Sequence, residues 1–410
     1  MLGALLQSRL NWTGLMARTG RTARASEIRD LLAVTERPDM ISFAGGLPAP
    51  ELFPVARLRA ALDAVLREEP VAALQYGPTQ GQAALRSLIA GRLARRGVEC
   101  SPDEVLITTG SQQALDLLGR VLACPGLPVV VESPTYIGAL QAFGAQQVEF
   151  VPAPVDAGGL LVDRLRSVLE RGRAAGRPHP CLLYTVPTFQ NPAGVTMPAE
   201  RRLDLLDCSR EWSLPVVEDD PYWALRYDGE ETPPLRGLPG GEDVLHLGTF
   251  SKVLSPGLRL GWVVAPRPVI ERLVLAKQGA DLHTDSLAQR AALRFCRDND
   301  LDAHVAALRA AYRERRDAML AALAELMPAG TTWTVPAGGM FTWVTLPAGL
   351  DARAVLAEAV ALGVAFVPGD AFHVDGGGTS AARLNFTASG PAEIREGVRR
   401  LALATERAGG

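Results

Sequence analysis

Leu247-Gly248-Thr249-Phe250-Ser251-Lys252-Val253-Leu254-Ser255-Pro256-Gly257-Leu258-Arg259-Leu260-Gly261-Trp262 sets one lysine between hydroxyl residues and an arginine, in an otherwise apolar, glycine-punctuated context. A lysine amine that must form an imine has to be held desolvated and aimed, and Thr249, Ser251 and Arg259 are residue types that grip a phosphate. A lone Ser-Lys pair carries no such meaning, because most lysines are solvated at the surface. Here Pro256-Gly257 turns the chain and brings in Arg259 seven positions after the lysine. That combination is far more restrictive.

The bulk numbers frame this stretch. The 410 residues exceed one ordinary core and suit two domains. With 48% hydrophobic residues, 21% charged residues and a net charge of −3, the chain reads as a globular enzyme without the basic excess of a nucleic-acid binder. No run approaches the roughly 20 apolar residues of a membrane span. Cys100, Cys124, Cys181, Cys208 and Cys296 are scattered and form no C-x-x-C pair. They fit neither a disulfide framework nor a zinc site, so a reducing cytoplasm is the simplest setting and no metal is expected. Residues 1–26 carry Arg9, Arg18, Arg21 and Arg24 with no acid before Glu27, as a transit peptide does. They lead, however, into the helical-looking Ser26-Glu27-Ile28-Arg29-Asp30-Leu31-Leu32, and we read the segment as part of the enzyme.

From about residue 105 short apolar runs alternate with amphipathic ones. Val105-Leu106-Ile107-Thr108, Pro128-Val129-Val130-Val131, Cys181-Leu182-Leu183-Tyr184 and Pro215-Val216-Val217 read as strands, each closed by turn or polar residues. Helical patterns at 111–122 and 198–211 lie among them. Such alternation predicts an α/β fold with a mainly parallel sheet, which binds ligands beyond the carboxyl ends of its strands. A long helical pattern over 302–326 then leads to a strand at 340–345, a helix near 351–362, a strand at 383–387 and a final helix near 391–405. These elements suggest a smaller α+β domain. The run Gly376-Gly377-Gly378 lacks the Lys-Ser/Thr of a phosphate loop and reads as a surface turn.

Pyridoxal phosphate (PLP) demands an imine-forming lysine, an acid against its pyridine nitrogen, a donor to its ring oxygen, a ring platform and a phosphate cup. Gly110-Ser111-Gln112 follows a strand and opens a helix, so free N–H groups and the helix dipole face a phosphate there. Ser111 and Gln112 would join Ser251 and Arg259 in the cup. Asp219 or Asp220, after the strand Val216-Val217-Glu218, can pair with the pyridine nitrogen. Tyr222 and Asn191 are candidate partners for the ring oxygen, and Tyr136 for stacking on the ring.

Taken in order, these elements make the chain resemble a class I/II aminotransferase of the fold-type-I PLP superfamily. It is most similar to the subgroup of 2-aminoadipate and kynurenine aminotransferases and MocR-type effector domains. The resemblance runs from Ala25-Ser26-Glu27-Ile28-Arg29 through Ile41-Ser42-Phe43-Ala44-Gly45-Gly46-Leu47-Pro48 to Arg383-Leu384-Asn385-Phe386. It implies an arm at 1–45, a large PLP-binding domain at 46–300 with a mainly parallel seven-stranded sheet, and a small domain at 301–410. It further implies Lys252 as the Schiff-base lysine, Asp219 against the pyridine nitrogen, and Tyr222 and Asn191 at the ring oxygen. Tyr136 stacks on the ring, Thr249 joins the phosphate cup, and Arg383 takes the substrate α-carboxylate with Gly46 and Asn191 beside it. Tyr76, in Gln75-Tyr76-Gly77-Pro78, matches a tyrosine donated across a homodimer interface. Thr249 stands where serine is common, and Asn191-Pro192-Ala193 replaces the frequent Asn-Pro-Thr. Too few residues precede the Ala44-Gly45-Gly46 turn for a winged helix, so a PLP-sensing regulator is the remote reading.

The resemblance implies ping-pong transamination of 2-aminoadipate, glutamate or a large apolar or aromatic amino acid with a 2-oxo acid such as 2-oxoglutarate. Arg29, on the helix expected over the site mouth, is the candidate for a distal carboxylate. The alternative is another chemistry on the same cradle: replacement, cyclisation, decarboxylation or oxidation.

Overall fold

A computed structural model describes residues 11–16 and 39–409 of the chain. A short strand, β1 (Ile41–Ser42), precedes the large sheet. That sheet is built from β2 (Val105–Thr108), β3 (Pro128–Ser133), β4 (Glu149–Asp156), β5 (Gly159–Leu160), β6 (Leu182–Thr185), β7 (Val216–Asp219), β8 (Leu245–Thr249) and β9 (Gly261–Val264). The spatial order is β2-β9-β8-β7-β6-β3-β4-β5. β4, β3, β6, β7 and β8 pair in parallel, while β9 runs antiparallel between β8 and β2. The sheet has eight strands rather than the seven that the resemblance implies, because the two-residue β5 folds back on β4.

The valine- and leucine-rich strands β2, β6, β7 and β8 are buried along their whole length, as expected of strands covered on both faces. Helices such as Ser111–Leu122 and Ala199–Trp212 supply that cover. Because β9 reverses and β2 reverses again, the carboxyl ends of β2, β3, β6, β7 and β8 all open on one edge. Ser111, Tyr136, Asn191, Asp219 and Lys252 each lie at or just beyond one of these five ends.

The helix Leu301–Leu326 leads into a second, antiparallel sheet. It comprises β10 (Thr332–Trp333) and β11 (Phe341–Thr345), with β13 (Val367–Pro368) and β14 (Ala381–Asn385) completing the order β10-β11-β14-β13. The intervening β12 (Val364–Ala365) pairs in parallel with β1. The last strand therefore ends at Asn385, two residues short of the predicted limit. Beyond it Asn385 folds back on its own loop, its Oδ1 accepting from the backbone N–H of Thr387 at 3.1 Å and of Ala388 at 3.2 Å. One apolar core runs from Val131, Val217 and Leu247 of the large sheet to Val344, Leu384 and Phe386 around the small one. Among the described residues no helix is long and apolar enough to cross a membrane. No group of three or more potential metal ligands occurs among them either.

Candidate active site

The loop between β8 and β9 carries Lys252 and closes on itself. Phe250 N donates to Leu260 O at 3.0 Å, and Pro256–Leu258 forms a single tight turn that leaves Arg259 left-handed, with φ 52°. The Lys252 ammonium donates to the Gly46 carbonyl at 2.8 Å. No carboxylate lies within ion-pair distance of it among the described residues. Burial, then the charges of Arg383 and Arg259, push its pKa down to about 8.

Three acids end β7, and they differ in their partners. Glu218 accepts from the backbone of Leu235 and Arg236 and faces His246 Nδ1 at 3.0 Å. Asp220 pairs with the buried Arg96 at 2.9 Å. Asp219 accepts from the Tyr184 hydroxyl at 2.8 Å on one oxygen, while its other oxygen is buried without a partner. Burial pushes Asp219 up to about 6. Each of the two aspartates that the sequence left open keeps one buried oxygen without a partner, but Asp220 is already neutralised by Arg96, whereas Asp219 has no cation within ion-pair distance among the described residues.

A chain of polar contacts crosses from one sheet to the other. Asn191 Nδ2 donates to the Tyr222 hydroxyl at 3.2 Å, and Asn191 Oδ1 accepts from Arg383 at 2.9 Å. Arg383 also donates to Ala44 O at 2.7 Å, and its guanidinium lies 4.2 Å from the Phe341 ring centroid and 5.0 Å from that of Phe372. It is 1% exposed, with no carboxylate partner among the described residues. Burial pushes it down to about 10. Tyr136 follows β3 and lies close enough to Asp219 and Arg383 for both charges to act on its phenol, which burial pushes up.

At the head of the helix Ser111–Leu122, Gly110 is the N-cap and offers no side chain, so the first N–H groups keep free donors. A Cβ on Gly110, whose φ is +77°, would come within 2.5 Å of the Arg259 guanidinium. One on Gly261 would lie 2.7 Å from the backbone of Gly110 and Ser111. The two glycines let strand, helix start and arginine converge. Thr249 Oγ1 lies 2.9 Å from Ser251 Oγ and accepts from Ser251 N at 3.0 Å. The Gln112 amide instead donates to Gly138 O at 2.8 Å, which leaves its backbone as its contribution at the helix start.

Two predicted residues stand apart. Tyr76 is 78% exposed and packs edge-on against His283, away from this cluster within the chain. Arg29 lies outside the described residues. Gly46, expected beside the substrate carboxylate, presents its carbonyl to Lys252, and sequence reading passed over several contributors, among them Tyr184, the Phe341 and Phe372 rings, and Glu132. Glu132 is buried and bonds Thr185 Oγ1 at 2.5 Å, Gln190 Nε2 at 2.9 Å and Val186 N at 3.2 Å, pinning the loop that presents Asn191. Burial pushes Glu132 up to about 7. Tyr184 had a signal, because a hydroxyl on a strand buried on both faces needs a partner.

These groups fit pyridoxal phosphate. The orphan oxygen of Asp219 suits a protonated ring nitrogen, Lys252 is an amine without an acid partner, and the uncapped helix start beside Arg259 suits a phosphate.

Residues 38–401 match the family model described as aminotransferase class I and II. The chain is 47% identical to aromatic-amino-acid aminotransferase 1 of Thermococcus litoralis, over 92% of this chain and 91% of that protein. It superposes on the kynurenine aminotransferase of Pyrococcus horikoshii with a TM-score of 0.93 at 44% identity, covering 97% of this chain and 98% of that one. An α-aminoadipate aminotransferase from Thermus thermophilus, solved with N-(5'-phosphopyridoxyl)-L-leucine, gives 0.89 at 43% identity over 97% and 99%. The chain belongs to the class I and II aminotransferases, enzymes of the fold-type-I PLP architecture that transaminate amino acids.

Proposed function

We propose that this aminotransferase moves amino groups between 2-oxoglutarate and amino acids with acidic or large apolar side chains, 2-aminoadipate and aromatic residues among them. The range rests on the names of the relatives at 43–47% identity. The observation that carries the reading is Arg383, a buried guanidinium on an aromatic bed with no carboxylate of its own among the described residues. Burying an unpaired cation costs several kcal/mol. An incoming α-carboxylate supplies the missing charge, and the planar fork grips it bidentately.

When bound, pyridoxal phosphate supplies the electron sink that lets the substrate α-proton leave. Lys252 carries the cofactor at rest and, once freed, moves the proton at its Nζ. Its lowered basicity suits an amine that works uncharged near neutral pH. Asp219 would offer its unpartnered oxygen to the pyridine nitrogen. Asn191 and Tyr222 would hold the ring oxygen, and the Asn191–Arg383 bond ties that end of the site to the substrate clamp. Tyr136 would cover the ring face. Ser111, the Gln112 backbone, Thr249, Ser251 and Arg259 hold the phosphate.

In this reading residues 46–300 form the cofactor domain and 301–410 the small domain, and Arg29, in the 1–45 segment, recognises a distal carboxylate. Tyr76 completes the phosphate cup of a second copy. The exposed side chains of Val71, Leu74 and Tyr76, at 71–78%, support a homodimer interface there. The enzyme works in the cytoplasm on small molecules and uses no nucleic acid or membrane.

Arg383→Lys is expected to raise the KM of every amino acid at least tenfold, since a charge-assisted bond is worth about 1.5–3 kcal/mol. Arg29→Ala is expected to penalise 2-aminoadipate and leave leucine nearly unchanged. Steady-state kinetics with both substrates checks the pair. Equal losses for the two amino acids in the Arg29 variant would remove that residue from substrate recognition.

A further inference from the structure

Beyond Tyr222 the chain continues through Trp223-Ala224-Leu225 to Arg226, which faces the helix Leu301–Leu326 across a cleft of about 470 Å³. Arg309 and Arg313 line the same cleft from successive turns of that helix, together with the small residues Ala306 and Ala310. We propose that this cleft is a binding site for a small multivalent oxyanion, a phosphate or a polycarboxylate, separate from the substrate site.

The argument rests on which cations have acids of their own. Glu231 lines the cleft, but its carboxylate is engaged by Arg96 at 2.5 Å. Asp228 is shared between Arg316 and Arg313, the latter at 3.3 Å. Arg226 and Arg309 have no carboxylate within ion-pair distance among the described residues. Arg309 donates through Nε to the Ala224 carbonyl, which carries no charge. Arg226 lies 4.8 Å from the Phe189 ring centroid, makes one long contact of 3.4 Å to Asp228 O, and has a buried Nε without a partner.

Burial and the adjacent Arg309 charge hold Arg226 below the usual guanidinium range, against the pull of Glu231. Arg309 and Arg313 also sit four apart on one helix face, where like charges repel. An oxyanion between the three would meet unspent guanidinium donors in the geometry that arginine uses for phosphate and carboxylate. The half-buried floor at Arg226 is reached by a compact group, which favours a small anion over a protein surface.

The test is calorimetric titration of the cofactor-loaded protein at low ionic strength, first with inorganic phosphate and then with citrate. Loading keeps the cofactor's own phosphate cup filled. The expected result is saturable binding of at least one of the two anions that weakens with added salt. It should weaken at least tenfold in Arg226→Gln/Arg309→Gln and about threefold in Arg313→Gln, a change at a half-exposed side chain that leaves the core intact. Saturation by phosphate assigns a phosphate ligand, and saturation by citrate alone assigns a polycarboxylate. Citrate heat that survives in the double variant belongs to the substrate site. No saturable binding of either anion, or equal affinity in all three proteins, overturns the proposal.

Discussion

Lys252→Ala loses turnover by at least roughly 10³-fold, because the variant lacks both the amine that anchors the cofactor and the group that moves the α-proton. Borohydride reduction of the loaded wild-type protein fixes the cofactor to Lys252, and peptide mapping reads the position. A reduced adduct at Lys277, the chain's other lysine, would move the assignment. Lys277 is already engaged by Asp281 at 2.9 Å and Gln113 at 2.6 Å, whereas Lys252 meets only the Gly46 carbonyl. The same environment sets a pH dependence. The pKa of Lys252 lies at about 8 rather than at the ordinary 10.5, so its uncharged fraction grows as pH rises through about 8. Labelling of Lys252 in cofactor-free protein by a small amine-selective reagent should follow that midpoint. A midpoint near the ordinary value would show that the amine is not desolvated.

Asp219→Asn and Asp220→Asn should fail in different ways, although the residues are adjacent and both buried. Asparagine at 219 keeps the Tyr184 contact but removes the negative charge from the free oxygen. Loss of a preorganised electrostatic partner of this kind costs roughly 10²-fold or more in kcat. The fold should survive, because burial of Asp219 already works against its ionised form. Asparagine at 220 instead removes one carboxylate from Arg96, which retains Glu231 at 2.5 Å. That change should lower unfolding free energy by about 2 kcal/mol and leave turnover within about threefold. Denaturation midpoints and kcat measured on both variants separate the two roles. The reverse ranking would place the wrong carboxylate against the cofactor.

Much of this was legible because fully buried parallel strands write themselves as short β-branched runs, each followed by its polar cluster. Val216-Val217-Glu218-Asp219-Asp220 announced both a strand and an acid at its carboxyl end. Strand direction was not legible. Gly261-Trp262-Val263-Val264 reads the same whether it runs with β8 or against it, and the tight turn at Pro256–Leu258 makes it antiparallel. The two-residue β5 is too short for any periodic signal.

At the site, the residues proposed to carry the chemistry were picked out by type and spacing, but most of those that hold them in place were not. Phe341 and Phe372 lie on separate elements and meet only through Arg383. Gly46 was expected at the site, but the contact of its carbonyl with Lys252 is backbone and leaves no trace in residue type. Nothing in the residue type of Glu132 signals that its buried carboxylate bonds the Thr185–Gln190 segment. Gln112 shows the converse, because its amide suited a phosphate cup by type yet is spent on Gly138 O.

The most direct test of the account is an anaerobic single turnover of the loaded protein with excess glutamate and no acceptor. Transamination by Lys252 with Arg383 as clamp predicts loss of the resting cofactor absorbance and release of stoichiometric 2-oxoglutarate, with no carbon dioxide and no free ammonia. Release of carbon dioxide or ammonia, or an unchanged spectrum with glutamate, 2-aminoadipate and phenylalanine alike, would contradict it.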